Sequence, residues 1–98
     1  MRLDKALWYL RFTKTRNLAQ DMVLAGHIRL NGRRIARPAT KVAVGDLLVL
    51  PLAEGVRIIR LIALPGRRGP ASEAQSCYLM LDEQSPLPIA AAPEISDT

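Results

Sequence analysis

Arg2-Leu3-Asp4-Lys5-Ala6-Leu7-Trp8-Tyr9-Leu10-Arg11-Phe12-Thr13-Lys14-Thr15-Arg16 is the stretch around which the rest of the chain is organised. Leu3, Ala6, Leu7 and Leu10 recur at i, i+3, i+4 and i+7, the spacing of one buried stripe on a helix. Arg2, Lys5 and Tyr9 fall three and four apart on a second face. A helix over residues 3–12 therefore offers an apolar side to a core and a cationic, aromatic side to a partner. Asp4 is the only acidic residue among the first twenty. It sits between Arg2 and Lys5, in a position to orient them.

Thr13-Lys14-Thr15 breaks the apolar pattern. Thr15 is a good N-cap for a second helix, because its hydroxyl can accept from a backbone N–H of the first turn. Leu18, Ala19, Met22, Val23 and Ala25 are expected to form the buried stripe of that helix. Gly26 stands where a helix ends in a left-handed residue. Arg11, Lys14 and Arg16 then cluster at the joint between two short helices, and Arg16 and Gln20 share an outward face. The start of a helix presents unpaired N–H groups and a partial positive charge, which suits a phosphate. A capped helix with solvated charges is an equally good reading of the same residues. His27 follows the helix without a cysteine, histidine or acidic cluster nearby. That makes it a poor metal ligand and a surface residue, a packing residue or a weak phosphate contact.

Ile28-Arg29-Leu30-Asn31-Gly32-Arg33-Arg34-Ile35 is the sharpest local signal. Asn-Gly between alternating residues marks a two-residue hairpin turn, in which both positions need positive φ. The register pairs Leu30 with Arg33, Arg29 with Arg34 and Ile28 with Ile35. Arg29 and Arg34 then lie opposite each other on one face, and like charges in that relation destabilise a sheet. An anion between them would explain the placement, and Arg33 and Arg37 add charge nearby. The alternative is that both side chains splay into water.

The remainder reads as a small sheet and its surroundings. Arg37-Pro38-Ala39-Thr40 is a connector, since proline removes a donor. Residues 41–44 read as a short strand, Gly45-Asp46 as a turn and residues 47–50 as a buried strand before Pro51. Ala53-Glu54-Gly55 turns again, and residues 56–64 are rich in β-branched side chains and read as a longer strand. Pro65-Gly66-Arg67-Arg68-Gly69-Pro70 ends the sheet. Residues 71–75 have room for a helical turn or two, with Tyr78 and Leu79 able to pack back on the domain. Trp8 and Phe12 are expected in the core; Tyr9 is open. Residues 85–98, with Pro86, Pro88, Pro93 and several alanines, read as a disordered acidic tail. The expected organisation is thus one α+β domain over 1–84, with two N-terminal helices packed on a small, mostly antiparallel sheet, followed by that tail.

Charge narrows the partner. The net charge is +5, but residues 1–70 carry fourteen basic and four acidic side chains, and residues 71–98 carry none and five. So basic a domain suits a polyanion, nucleic acid before a membrane surface. No stretch approaches the ~20 apolar residues of a membrane span. Cys77 is the only cysteine, so no intrachain disulfide forms and a reducing cytoplasm is the expected compartment. The residues needed for catalysis are not grouped: Asp4 lacks partners, one histidine and one cysteine lie fifty residues apart, and the six glycines fall at turns rather than in a phosphate-cradling loop. No enzyme, cofactor or metal is expected.

The residues carry a resemblance. Arg2-Leu3-Asp4-Lys5, Arg11-Phe12-Thr13-Lys14-Thr15-Arg16, Leu18-Ala19, Gly26-His27-Ile28-Arg29-Leu30-Asn31-Gly32 and Val44-Gly45-Asp46 resemble the alpha-L RNA-binding domain, first described in the small-subunit ribosomal protein S-four. Lys14-Thr15-Arg16 and Arg67-Arg68-Gly69-Pro70-Ala71-Ser72-Glu73-Ala74 resemble, within it, the bacterial ribosome-associated fifteen-kilodalton heat shock protein family. The resemblance implies a two-helix, antiparallel-sheet fold and non-catalytic binding of structured RNA through the helix pair and hairpin. It further implies association with the large ribosomal subunit, in a stress response or the recycling of stalled ribosomes. The expected RNA-contacting set is Arg2, Asp4, Lys5, Arg11, Lys14, Thr15, Arg16, Gln20, His27, Arg29, Asn31, Gly32, Arg33 and Arg34. The same charge would attract DNA non-specifically. An accessory subunit of an RNA-modifying enzyme and a protein-interaction adaptor are the alternative readings.

Residues 85–98 carry three prolines and no aromatic residue. Deleting them is expected to leave the melting temperature nearly unchanged and to strengthen RNA binding by removing negative charge. Melting curves and filter binding of the two chains check this; a large fall in melting temperature would show that the segment docks on the domain.

Overall fold

The structure is a computed structural model that describes residues 1–81. The expected tail lies outside the described residues. Helix α1 spans Leu3–Tyr9 and α2 spans Arg16–Leu24; strands β1 (Ile28–Leu30), β2 (Arg33–Ile35), β3 (Leu47–Leu52) and β4 (Gly55–Leu61) follow, then α3 (Ala71–Gln75) and β5 (Tyr78–Met80). The strands form one sheet in the order β2-β1-β3-β4-β5, antiparallel at every pairing. This is the expected α+β class.

The α1 stripe is buried as its spacing predicts: Leu3, Ala6, Leu7 and Leu10 are all within the core. They meet Ala19 and Val23 of α2, and Ile28, Leu48, Leu50, Ile59 and Leu61 from one face of the sheet. Trp8 and Phe12 pack on the edge of this cluster. The helix is shorter than expected. Arg11 takes a left-handed φ of 67°. Its N–H donates to the Trp8 carbonyl and the Phe12 N–H to the Leu7 carbonyl, both at 3.0 Å. These two bonds close α1 in a Schellman motif. A left-handed residue with a Cβ costs roughly 1–2 kcal/mol, so sequence pattern alone favours glycine there and does not signal the stop. Helix α2 begins as expected, with the Thr15 hydroxyl accepting from Leu18 N–H at 3.1 Å, and ends at Gly26, whose φ is +80°. Its stripe is narrower than expected. Only Ala19 and Val23 are buried; Leu18 is 48% exposed and Ala25 is exposed.

The hairpin has the expected register, Ile28 with Ile35, Arg29 with Arg34 and Leu30 with Arg33. Asn31 and Gly32 have φ of 52° and 85°, as a two-residue type I′ turn requires. The expected strand over 41–44 is not a strand. Lys41 makes one bridge to Arg2, Val42 tucks into the core, and the Asp46 carboxylate captures the Ala43 N–H at 2.8 Å, which bends the chain out of strand pairing. Two expected strand ends also shift. β3 continues through Pro51 because β1 pairs only as far as Val49, leaving that side of β3 open. β4 stops at Leu61, where the Cys77 carbonyl takes the N–H groups of Ile62 and Ala63. Tyr78 and Leu79 do pack back, as an added edge strand beside β4.

One buried polar residue joins the two N-terminal helices. Asp4 is fully buried. Its Oδ1 accepts from Arg2 Nε at 3.1 Å and from the Lys5 N–H at 2.8 Å; its Oδ2 accepts from Arg2 Nη2 at 3.1 Å and Gln20 Nε2 at 3.2 Å. Arg16 Nε lies 3.5 Å from Oδ2. Burial pushes the Asp4 pKa up, but the bonds from Arg2, Gln20 and the Lys5 N–H, with the charge of Arg16, outweigh it and hold the carboxyl below its ordinary value. Arg16 and Gln20 were expected to face outward; both turn in to Asp4 instead, because a buried carboxylate is tolerable only with its donors in place.

Asp4→Asn is expected to lower stability by about 1–3 kcal/mol at neutral pH, since a buried acceptor set loses the charge that holds two guanidinium groups. The folded pKa lies below the ordinary 3.8. The Asp4 contribution is therefore complete above that value and is lost as the pH falls through the lower folded value. Melting curves from neutral to acid pH should show the two chains converging on acidification. A gap that stays constant with pH would mean the Asp4 charge does not hold the helices.

Candidate nucleic-acid interface

Helix packing and the hairpin turn divide the expected contact residues into two groups. The first sits at the corner between α1 and α2. Arg11, Lys14 and Thr15 are exposed there. Arg2 and Arg16 reach the same region with side chains 42% and 38% exposed, anchored at one end on Asp4. Arginine has five N–H donors, and Arg2 uses two on the carboxylate, so three remain for a ligand. Asp4 itself is sealed from solvent; its part is to aim guanidinium groups. Lys5 is also restrained, with Nζ 5.3 Å from the centroid of the Tyr9 ring. Gln20 is engaged with Asp4, and the Thr15 oxygen caps α2 while its hydroxyl proton stays available.

The second group is the hairpin. Arg29 and Arg34 are exposed and directly paired. Across β1 the next residue in the row is Val49, so no carboxylate neutralises the pair within the sheet. Arg33, Gly32 and His27 are exposed as well. Asn31 has a different task. Its Oδ1 accepts the Leu47 N–H at 2.9 Å and its Nδ2 donates to Asp46 Oδ1 at 3.2 Å. The amide side chain staples the turn to the start of β3.

Three basic residues outside the expected contact set join the corner group. The connector after β2 runs along the start of α1, where the Thr40 and Pro38 carbonyls accept the N–H groups of Leu3 and Asp4 at 2.8 and 3.2 Å. Those bonds satisfy helix-end donors and bring Lys41 beside Arg2. Arg37, four residues before Lys41, lies on the same connector and is exposed. Arg68 comes from further along the chain: its Nη2 donates to the Thr13 carbonyl at 3.4 Å, while Arg11 Nη1 donates to the Gly69 carbonyl at 3.0 Å. The two arginines clasp the corner to the segment before α3. Their separations in sequence, 55 and 58 residues, leave no local signal. The Arg67-Arg68-Gly69 run was the only visible hint.

Among the described residues no group of His, Cys, Asp and Glu is placed to hold a metal ion. Nor, among them, is any helix long and apolar enough to cross a membrane. The arrangement suits the binding of an extended anion: guanidinium groups anchored on Asp4, the exposed Lys14, and an arginine pair across a hairpin.

Comparison with known proteins finds relatives by sequence and by fold. The S4 domain model matches residues 1–48. Heat shock protein 15 of Escherichia coli strain K12 is 40% identical over 78 residues, 80% of this chain and 58% of that protein. The chain thus spans under two thirds of the length of this curated relative. Small ribosomal subunit protein uS4 of Fusobacterium nucleatum is 39% identical over 61 residues, 61% of this chain and 31% of that protein. The solved structure of trimeric Heat Shock Protein 15 from Vibrio cholerae superposes with a TM-score of 0.78 at 38% identity, covering 84% of this chain and 82% of that one. With the S4 match over its helix pair and hairpin and a likeness to that structure over most of both chains, this chain belongs to the heat shock protein 15 family of S4-domain proteins.

Proposed function

We propose that this chain is a non-catalytic, ribosome-associated RNA-binding protein. It grips structured ribosomal RNA of the large subunit with the α1–α2 corner and the β1–β2 hairpin, in a stress response or the recycling of stalled ribosomes. The observation that carries the reading is the Arg29–Arg34 pair. Like charges face each other across an exposed hairpin, an arrangement that costs folding energy and is relieved by a phosphate. The corner supports it, because guanidinium groups fixed on Asp4 suit a partner recognised by backbone and shape. Family membership supports the ribosomal partner; the large subunit and the recycling role follow from the resemblance alone.

Crosslinking in cells followed by sequencing of the bound RNA tests the partner. Large-subunit ribosomal RNA is expected to dominate; a predominance of transfer or messenger RNA would overturn the proposal. In vitro, Lys14→Ala is expected to weaken binding to many RNA sequences alike and to reduce the log–log salt slope by about one, with the melting temperature unchanged. Arg16→Ala differs, since removing an Asp4 partner should lower both stability and affinity. An unchanged salt slope for Lys14→Ala would move the site away from the corner.

Arg34→Thr separates function from fold at the hairpin. Relief of the like-charge pair should hold stability or raise it by a few tenths to about 1 kcal/mol, while RNA affinity falls. Thermal melts and filter binding at two salt concentrations read the two movements. A loss of stability with unchanged affinity would make Arg34 structural.

A further inference from the structure

A groove of about 770 Å³ runs between α2 and the β3–β4 turn. Arg11, Phe12, Thr13 and Lys14 form its end at the corner. Leu18 and Met22 form one flank, and Pro51, Leu52 and Ala53 the other. The groove explains why the α2 stripe is narrower than its spacing suggests: Leu18 lines an open concavity and is 48% exposed. Its lining carries charges of both signs. Arg11 and Lys14 stand at the corner, whereas the carboxylates lining it are Asp21, on α2, and Glu54, in the β3–β4 turn. Asp21 lies six positions after Thr15, roughly 9 Å along a helix at 1.5 Å per residue.

We propose that this groove takes one unpaired nucleotide of the bound RNA. Its phosphate lies on Lys14 and Arg11, its base on Leu18, Met22 and Leu52, and its hydrogen-bonding edge toward Asp21 and Glu54. The inference rests on the RNA-binding reading of the adjoining corner and adds a ligand class to it. Three features fit that occupant together. The cations at the corner attract a phosphate, and Arg11 uses only one donor on Gly69, so others remain. The apolar flanks can cover the face of any base, and Phe12 in the same lining offers an aromatic surface of the kind on which unpaired bases stack. The carboxylates repel the phosphate backbone, so a base rather than a second phosphate enters that end. Ionised carboxylates only accept hydrogen bonds. They therefore favour the base whose outer edge presents adjacent donors, guanine with N1–H and the 2-amino group. Uracil offers one N–H between two carbonyl oxygens and is disfavoured.

The test uses the full chain and five RNA hairpins with one stem: four with a single bulged G, A, C or U, and one without a bulge. Binding is measured by fluorescence anisotropy at fixed salt. The bulged-G hairpin is expected to bind about tenfold tighter than the unbulged one, and the bulged-U hairpin to gain little. Leu18→Ala should remove most of the gain from the bulge and leave affinity for the unbulged stem intact. Asp21→Asn with Glu54→Gln should erase the preference for G over U while affinity for the unbulged stem stays or rises. Melting curves of each variant confirm folding. If none of the hairpins binds, the functional reading itself fails. If all five bind equally, or the G preference survives both variants, only the assignment of the groove fails. A neutral leucine-and-serine peptide that binds the wild-type chain but not Leu18→Ala would overturn it in favour of a protein ligand.

Discussion

The carboxylate of Asp4 ties the first turn of α1 to the first two turns of α2, and the corner between the helices keeps its shape through that tie. A charge so fully buried is unfavourable unless donors surround it. Here Arg2, Gln20 and the Lys5 N–H supply them, and the charge of Arg16 stands 3.5 Å from Oδ2. Both arginines stay partly exposed while anchored. One buried residue thus does two things at once: it locks the helix pair, and it presets the direction of two guanidinium groups on its surface. Preset donors lose less conformational freedom when a ligand arrives than free side chains would.

The hairpin is held from the other side by a comparable device. Asn31 must adopt positive φ for the turn and uses its side chain to reach the Leu47 N–H and Asp46. Asp46 in turn captures the Ala43 N–H. The turn, the connector 42–46 and the start of β3 are therefore tied together by side-chain hydrogen bonds. The arginines at the hairpin stand on a braced support, although their own arrangement opposes folding. The bracing hydrogen bonds and the like-charge pair thus belong to the same hairpin.

The segment beyond the S4 match is not a separate addition. Arg11 and Arg68 exchange guanidinium–carbonyl bonds between the corner and the residues before α3. Phe12 packs against Tyr78 with ring centroids 5.1 Å apart and planes tilted by 45°, and β5 extends the sheet beside β4. The left-handed conformation of Arg11 is sustained by this clasp together with the Schellman bonds. Contacts of this kind let a peripheral α–β unit stiffen a corner more than fifty residues away in the chain.

Local chemistry determined what was legible in the sequence alone. Asn31-Gly32 demands a two-residue turn, and alternation on either side leaves one register, so the Arg29–Arg34 pairing could be read directly. Thr15 and Gly26 mark helix ends through their own cap chemistry, and the i, i+3, i+4 spacing of Leu3, Ala6 and Leu7 specifies a buried face. The basic character of the corner was likewise visible from residue types. Tertiary structure decided everything that depends on which groups meet across the chain. Arg16 and Gln20 have the spacing of an outward face, yet a buried carboxylate sixteen residues from Gln20 draws both inward. Residues 41–44 have strand-like composition, but Asp46 takes the N–H that pairing would need. Arg11 stops α1 without a glycine, where the local Schellman bonds are joined by a clasp to Arg68 and Gly69. Leu18 is apolar at a buried spacing and remains exposed, because α1 covers only the Ala19–Val23 line of α2 and leaves a groove alongside. Spacing fixes which side chains share a face; only the packed fold decides which face is covered.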